Sequence, residues 1–363
     1  MVKVHRLGIL TSGGDCAGLN AAIRAVVYRA INTYGWTVHG IKEGSLGLMN
    51  RPVQHKELTL DLFDGNMLRM GGTFLGTTNK GDPFAFPMPD GTVKDRSSEF
   101  IEGFDMLGLH ALIVIGGDGS MFILNKLCTL GGLPMVGIPK TIDNDVHHTE
   151  FAIGFDTACG VVVDALDRLQ PTAASHHRVM ILEVMGRDAG HIAVGGGIAG
   201  GADVILVPEI PYSLAGIAAK IDQVRREGRN HALVVVAEGC KTDDGQPVKV
   251  AQARYGGIGQ YLSEHLGALL DTETRVTVLG HVQRGGQPSA RDRLLASAFG
   301  VHAVDLVAQN KFDRMVAWRD RSVIDVPIAD VVGSARCVDP FGAVVHTARG
   351  LGTYVGELDR LGR

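Results

Sequence analysis

The chain has 363 residues, too many for one ordinary core and suited to two domains. With 45% hydrophobic and 20% charged residues it has the composition of a globular protein that needs no metal or disulfide staple. A net charge of −4 argues against bulk nucleic-acid binding but leaves room for a small anionic substrate at a local positive cluster.

Five cysteines, Cys16, Cys128, Cys159, Cys240 and Cys337, form no CxxC spacing, so neither a disulfide framework nor a zinc site is supported. The apolar run at the N-terminus is too short for a secretion signal, and no stretch approaches the roughly 18 apolar residues of a membrane span. A reduced, cytoplasmic compartment is expected, with no membrane and no nucleic acid as partner.

In chain order, the pattern predicts a strand at Leu7–Leu10, a helix at Leu19–Asn32 and strands at Ala111–Ile115 and Met135–Ile138. There follow a helix at Val161–Arg168, strands at Val179–Val184 and Asp203–Val207, and a helix at Leu214–Arg226. A strand at Ala232–Ala237, a helix at Ile258–Leu270 and a strand at Arg275–Leu279 complete the regular part. Continuous apolar strands alternating with helices describe an α/β fold with mainly parallel sheets covered on both faces. The stretch Val323–Arg363 has weaker periodicity and is expected to be partly a wrapping tail.

Three glycine- or acid-bearing turns follow predicted strands. Thr11-Ser12-Gly13-Gly14-Asp15 stands between a strand and a helix, where free N–H groups and the helix dipole suit an anion; a plain strand–helix turn is the alternative. Gly116-Gly117-Asp118-Gly119-Ser120 adds a carboxylate, Asp118, beside a phosphate-sized turn, as Mg²⁺ sites require; a helix-capping Asp is the alternative. Pro139-Lys140-Thr141-Ile142-Asp143-Asn144-Asp145 offers one lysine and two acids. Asp143, read as a solvated and ionised carboxylate, could take a hydroxyl proton in phosphoryl transfer, though Asp, Asn and Thr are also ordinary turn residues. Arginines and histidines gather at strand ends, in Ser175-His176-His177-Arg178, Met185-Gly186-Arg187, Glu273-Thr274-Arg275 and His281-Val282-Gln283-Arg284, as a sugar phosphate would need.

Gly195–Gly200 matches GxGxxG but precedes a strand, so helix packing is the better reading. The adjacent pairs His147-His148 and His176-His177 are poorly placed to share a metal. No GxxxxGK[ST] motif occurs.

LTSGGDCAGLNAAIR, GGTFLGTTNKGDP, GGDGS, PKTIDNDV, IGFDTA, EVMGRDAGHIA, AGGADVILVPE and LGHVQRGGQPSARDR, in that order between Leu10 and Arg293, resemble the successive signatures of the 6-phosphofructokinase family. The resemblance implies two Rossmann-like three-layer α/β/α domains. Residues 1–154 plus 283–333 would hold ATP and Mg²⁺, and residues 155–282 plus 334–363 would hold fructose 6-phosphate. By motif match, Asp143 is the proton acceptor, with Thr141, Arg187 and Asp145 in the catalytic group. Asp118 is the metal position. Gly14, Asn79, Lys80 and the Gly117, Asp118, Gly119, Ser120 loop cradle the donor. Thr141, Ile142, Asp143, Met185, Gly186, Arg187, Glu238, His281 and Arg284 meet the sugar phosphate. Arg178 and Arg275 would reach a neighbouring subunit's site in a homotetramer or dimer.

Several positions depart from the typical bacterial pattern. Asn79 replaces the phosphate-bridging arginine, and Ile123 stands where a small residue lies under the nucleotide. Gly119 with Lys140 resembles the mixed branch between ATP users, which carry Gly at both positions, and pyrophosphate users, which carry Asp and Lys. An Asp at 119 would occupy the space of an α-phosphate, so Gly119 favours ATP, with pyrophosphate as the alternative donor. The effector stretches, Arg24 to Tyr28 and Gly228-Arg229-Asn230, carry reduced positive charge, which implies a weak or altered response to ADP or phosphoenolpyruvate. A silent sugar-phosphate sensor, a nicotinamide-dependent dehydrogenase and a NAD or lipid kinase are competing classes. The paired acids argue against the first, the context of Gly195–Gly200 against the second, and TIDND with HVQRGG against the third.

Overall fold

A computed structural model describes residues 5–79, 81–248, 255–333 and 335–361. The strands are β1 (Arg6–Thr11), β2 (Thr37–Ile41), β3 (His55–Leu58), β4 (Phe86–Pro87), β5 (Val93–Lys94), β6 (Ala111–Gly116), β7 (Met135–Pro139), β8 (Val179–Val184), β9 (Val204–Leu206), β10 (Ala232–Ala237), β11 (Thr274–Val278), β12 (Arg314–Arg319) and β13 (Ser322–Pro327). The helices are α1 (Leu19–Tyr34), α2 (Leu46–Met49), α3 (Ser97–Met106), α4 (Asp118–Gly131), α5 (Phe155–His176), α6 (His191–Ala199), α7 (Leu214–Arg226), α8 (Ile258–Leu269), α9 (Ala290–Ala308), α10 (Ile328–Val331) and α11 (Ala343–Gly350). The chain forms two compact units. One holds Met1–Thr141, Val146–Asp156 and Arg284–Ser334; the other holds Ile142–Asp145, Thr157–Gln283 and Ala335–Arg363.

The first unit is built on a seven-stranded sheet in the order β13-β12-β7-β6-β1-β2-β3. Neighbours from β12 to β2 run parallel, and antiparallel β13 and β3 close the two edges. The all-apolar β6 is buried at every residue, as a central strand covered on both faces must be. Leu10, Leu112, Val114, Met135 and Met315 join α3, α4 and α10 in one core cluster. The alternate residues Ile9, Ile113, Val136 and Val316 are equally buried on the other face, where α9 lies on β7 and β12 and packs against α1. Gly300 permits that helix crossing, since a Cβ there would stand 2.7 Å from Ala25 Cβ and 2.8 Å from Ala22 O.

The chain leaves β1 for β2 on one side and returns to β6 on the other. The switch point of the sheet therefore lies between β1 and β6, the usual place for a ligand in an open α/β sheet. The register Leu7↔Ala111 through Thr11↔Ile115 brings the turns after both strands side by side.

The second unit has a four-stranded, wholly parallel sheet in the order β11-β8-β10-β9. The turns after β8, β10 and β11 share its carboxyl end. Gly195–Gly200 falls in and just after α6, and a Cβ on Gly196 would approach Val162 Cβ to 2.6 Å, so these glycines serve close packing against α5.

Several elements differ at their edges from what the sequence pattern predicts. The helix expected at Val161–Arg168 runs from Phe155 to His176, through Pro171. The strand expected at Asp203–Val207 is shorter, Val204–Leu206. The supposed tail begins as β13, a strand of the first unit, and only its later part wraps. There Tyr354 lies along β9, with Ile205 N donating to Tyr354 O at 2.9 Å and Tyr354 N donating to Asp203 O at 3.0 Å, which covers an open sheet edge. Among the described residues no helix is long and apolar enough to cross a membrane.

Gly196→Val is expected to destabilise the protein by about 1–3 kcal/mol through overpacking against Val162. Urea unfolding with an unchanged midpoint would contradict this packing role.

Candidate active site

In the first unit the turn after β1 is held from beneath. Lys140, at the end of β7 and 4% exposed, donates from Nζ to Ser12 O and Gly14 O, both at 2.7 Å. Thr77 Oγ1 donates to Gly13 O at 2.7 Å, and Gly13 N donates to Thr78 O at 2.9 Å. Gly13 has φ +84°, and a Cβ there would lie 3.2 Å from Lys140 Nζ, so glycine is needed at that position. Lys140 therefore organises the turn, with its charge directed at backbone carbonyls, a function that its place in the sequence does not reveal.

The neighbouring turn leads into α4, whose N-cap is Gly117 and whose first residue is Asp118. Asp118 therefore stands one residue past the capping position, in the first turn of the helix. A Cβ on Gly119 would meet nothing within 4 Å, so the space above it is open. Asn79 is exposed, and Lys80 lies outside the described residues.

Arg284, expected at the sugar phosphate, belongs to the first unit and lies on the β1 turn. Its Nη1 donates to Asp15 O at 3.2 Å, and a Cβ on Gly14 would stand 2.8 Å from that same nitrogen. The division between the units falls between Thr141 and Ile142, which splits the third motif.

In the second unit Asp143 is 3% exposed, buried and not solvated as a motif of turn residues implies. Its Oδ2 stands 3.9 Å from Nε of Arg187. The Met185–Arg187 turn that carries this arginine is fixed on both sides. Glu238 accepts from Gly186 N at 3.3 Å and Arg187 N at 3.2 Å, while Gln283 Oε1 accepts from Met185 N at 2.6 Å. Gly186 has φ +150°, and a Cβ there would lie 2.5 Å from Ala189 O. His281 is exposed on the turn after β11.

Arg178 and Arg275 are not part of this group. Arg178 precedes β8 and Arg275 is near the start of β11, the amino ends of strands whose carboxyl ends carry Arg187 and His281. At about 3.3 Å per residue, six-residue β8 separates the two ends by about 20 Å. The two arginines share Glu273, and the Arg178 guanidinium, with Arg275 behind it, holds that carboxyl below its usual range. In the stretch read as an effector site, Arg229 is taken up by an ion pair with Asp203.

Two buried polar groups, Gln283 and Glu183, and two half-buried ones, Glu209 and His191, carry structural roles that their place in the sequence does not announce. Gln283 was seen only as part of a motif. Glu183, a carboxylate inside the apolar run of β8, is the one with a local signal. It accepts from Gly257 N at 3.1 Å and Gly259 N at 2.8 Å at the start of α8, and burial pushes its pKa up. Glu209 accepts from Gly190 N and from Val338 N, and burial raises it too. His191, the first residue of α6, is pushed down to about 4 by burial and then by the nearby Arg336 charge.

Glycine turns at the switch point of a parallel sheet define the class: an α/β protein shaped to hold an anion at its strand ends. Residues 6–307 match the family described as Phosphofructokinase, and the chain belongs to that family. It is 59% identical over 361 residues to a Synechocystis protein named ATP-dependent 6-phosphofructokinase 1, covering 98% of this chain and 100% of that one. It is 45% identical over 355 residues to an ATP-dependent 6-phosphofructokinase of Chloroflexus aurantiacus, covering 98% of this chain and 99% of that one. Among solved structures, phosphofructokinase from Pichia pastoris in the T-state matches with a TM-score of 0.80 at 31% identity over 91% of this chain and 36% of that chain. The Saccharomyces cerevisiae enzyme matches at 0.76 and 31% identity, over 90% of this chain and 45% of that one, so this chain spans less than half of either yeast chain.

Folding holds His191 neutral, whereas the unfolded chain binds a proton below about pH 6.5, so this residue makes stability fall as pH drops. Relative to His191→Gln, the wild type is expected to lose about 2 kcal/mol between pH 7.5 and pH 5 in parallel denaturant titrations. A difference independent of pH would contradict the half-buried neutral imidazole.

Proposed function

We propose that the protein transfers the γ-phosphoryl group of ATP to the 1-hydroxyl of fructose 6-phosphate, giving fructose 1,6-bisphosphate and ADP. The observation that carries this reading is the buried Asp143 carboxylate with the Arg187 guanidinium 3.9 Å from it, on the TIDND and MGR motifs. The near full-length likeness to proteins named as ATP-dependent enzymes supports the same donor.

Asp143 takes the proton of the 1-hydroxyl as that oxygen attacks the γ-phosphorus and the bond from that phosphorus to the bridging oxygen of ADP breaks. Arg187 steadies the carboxylate and offers positive charge to the transferring group. Thr141 and Lys80 act on the same oxygens. Asp145 belongs to the catalytic loop, and Ile142 supports it as a wholly buried neighbour. On the donor side the first-turn N–H groups of α4, at Asp118, Gly119 and Ser120, have no helical carbonyl behind them and face an anion. Gly14, Gly117 and Asn79 complete that cradle. Met185, Gly186, Glu238, His281 and Arg284 meet the sugar phosphate, and Arg284 also braces the β1 turn through Asp15 O. Fixed donors and charges of this kind supply most of the rate in phosphoryl transfer.

The donor set fits Mg²⁺. One carboxylate, Asp118, beside a phosphate-sized turn is what this cation uses when phosphate and water fill the rest of its shell. Asp118 would hold it, and when bound it neutralises charge on the donor oxygens. Arg178 and Arg275, at the far end of their strands, serve a neighbouring subunit's site in a homo-oligomer, tetramer or dimer. The compartment that suits five cysteines whose spacing supports no disulfide framework is the cytoplasm.

Asp143→Ser is expected to cut turnover by about 10²-fold or more while fructose 6-phosphate still binds, read by a coupled steady-state assay and by calorimetry. Near-normal turnover would remove Asp143 from the role. Gly119→Asp should raise KM for ATP by about 10²-fold, since a like charge about 4 Å away costs a few kcal/mol at a partly screened site. An unchanged KM would mean that the open space above residue 119 is not where the nucleotide phosphates lie.

A further inference from the structure

The segment at 335–338 bears on the acceptor loop through its backbone. Arg336 N donates to Asp145 O at 2.7 Å. Nε2 of His191 lies 3.0 Å from Arg336 O, and because a carbonyl only accepts, Nε2 carries the proton. Two residues on, Val338 N donates to Glu209 Oε1 at 2.7 Å, and the same carboxylate accepts from Gly190 N at 2.9 Å, so the N-terminus of α6 and this segment are pinned together. The chain then forms α11, packed on α6, and finishes hydrogen-bonded along β9, which anchors the far end.

The loop so held contains a backbone conformation that needs holding. Asn144, between Asp143 and Asp145, has φ +53° and is 3% exposed. A non-glycine residue in this left-handed region costs free energy and persists where its surroundings over-determine it. The bond from Arg336 N fixes the carbonyl just after that residue.

We propose that residues 335–338 form a strap that positions the Asp143 carboxylate for proton transfer, with His191 as the positioning residue that fixes the strap. This rests on the role of Asp143 given above. The strap acts on the geometry of the attacking hydroxyl and its base, so its loss lowers turnover and leaves donor binding alone.

The test is steady-state kinetics of full-length His191→Leu and His191→Gln with ATP and fructose 6-phosphate, alongside Asp143→Ser. Leucine removes the N–H that holds Arg336 O. The amide of glutamine reaches about as far as Nε2 and restores that donor. His191→Leu is expected to lose about tenfold or more in kcat, as a displaced reacting group does, with KM for ATP within about twofold of wild type. His191→Gln should recover most of the loss. Wild-type kcat in His191→Leu, or equal loss in both variants, overturns the strap. If Asp143→Ser is inactive while His191→Leu is normal, the strap alone fails; if Asp143→Ser is normal, the role of Asp143 fails first. Should His191→Leu not fold, amide exchange on the wild type decides. The Arg336 and Val338 amides must exchange as slowly as those of β9, and exchange at the rate of an exposed loop overturns the proposal.

Discussion

The buried ammonium group of Lys140 is the constraint from which the rest of the first unit's site follows. A charge out of reach of water must be met by polar groups, and here the carbonyls of Ser12 and Gly14 meet it. Once those carbonyls point inward, the peptide planes of the β1 turn are set. The turn is then further bound by Thr77 and Thr78 and roofed by Arg284 at Gly14. The same residue directly follows β7 and precedes the Thr141–Asp145 run, so the lysine that organises the β1 turn also stands where the acid-bearing loop leaves the sheet.

The second unit solves a different problem with the same means. Its sheet is parallel and apolar, and the groups that matter are placed by backbone hydrogen bonds to carboxylates and an amide. Glu238 and Gln283 hold the turn of Arg187, Glu183 holds the start of α8, and Glu209 joins the start of α6 to the chain near Val338. Glu183 and Glu209 are held above their usual pKa by burial, a cost that their N–H partners offset in part. Such contacts fix turns more rigidly than apolar packing does, because a buried carboxylate without its donors is strongly disfavoured.

What the sequence disclosed follows from how local each signal is. β8, β10 and α7 were read to the residue, because an unbroken apolar run or a clean amphipathic repeat bounded by turn residues needs no outside information. β2, with Thr and His among its five residues, and the half-exposed pair β12 and β13 were missed, since their burial depends on partners far along the chain. The glycine turns were visible because positive φ and close approach demand glycine. The work of Lys140 was not, because its acceptors lie 126 and 128 residues away. His191 and Arg336 gave no signal, as each acts on a distant backbone atom. The burial of Asp143 could not be read from a motif made of turn residues.

Family membership and the paired acids meet in one claim, that this chain phosphorylates fructose 6-phosphate from ATP. Initial rates of fructose 1,6-bisphosphate formation by the purified protein with Mg²⁺, using ATP in one series and pyrophosphate in the other, test it most directly. The account predicts product with ATP and a rate at least about tenfold lower with pyrophosphate, a difference of about 1.4 kcal/mol in barrier. Faster turnover with pyrophosphate, or no bisphosphate from either donor, would contradict it.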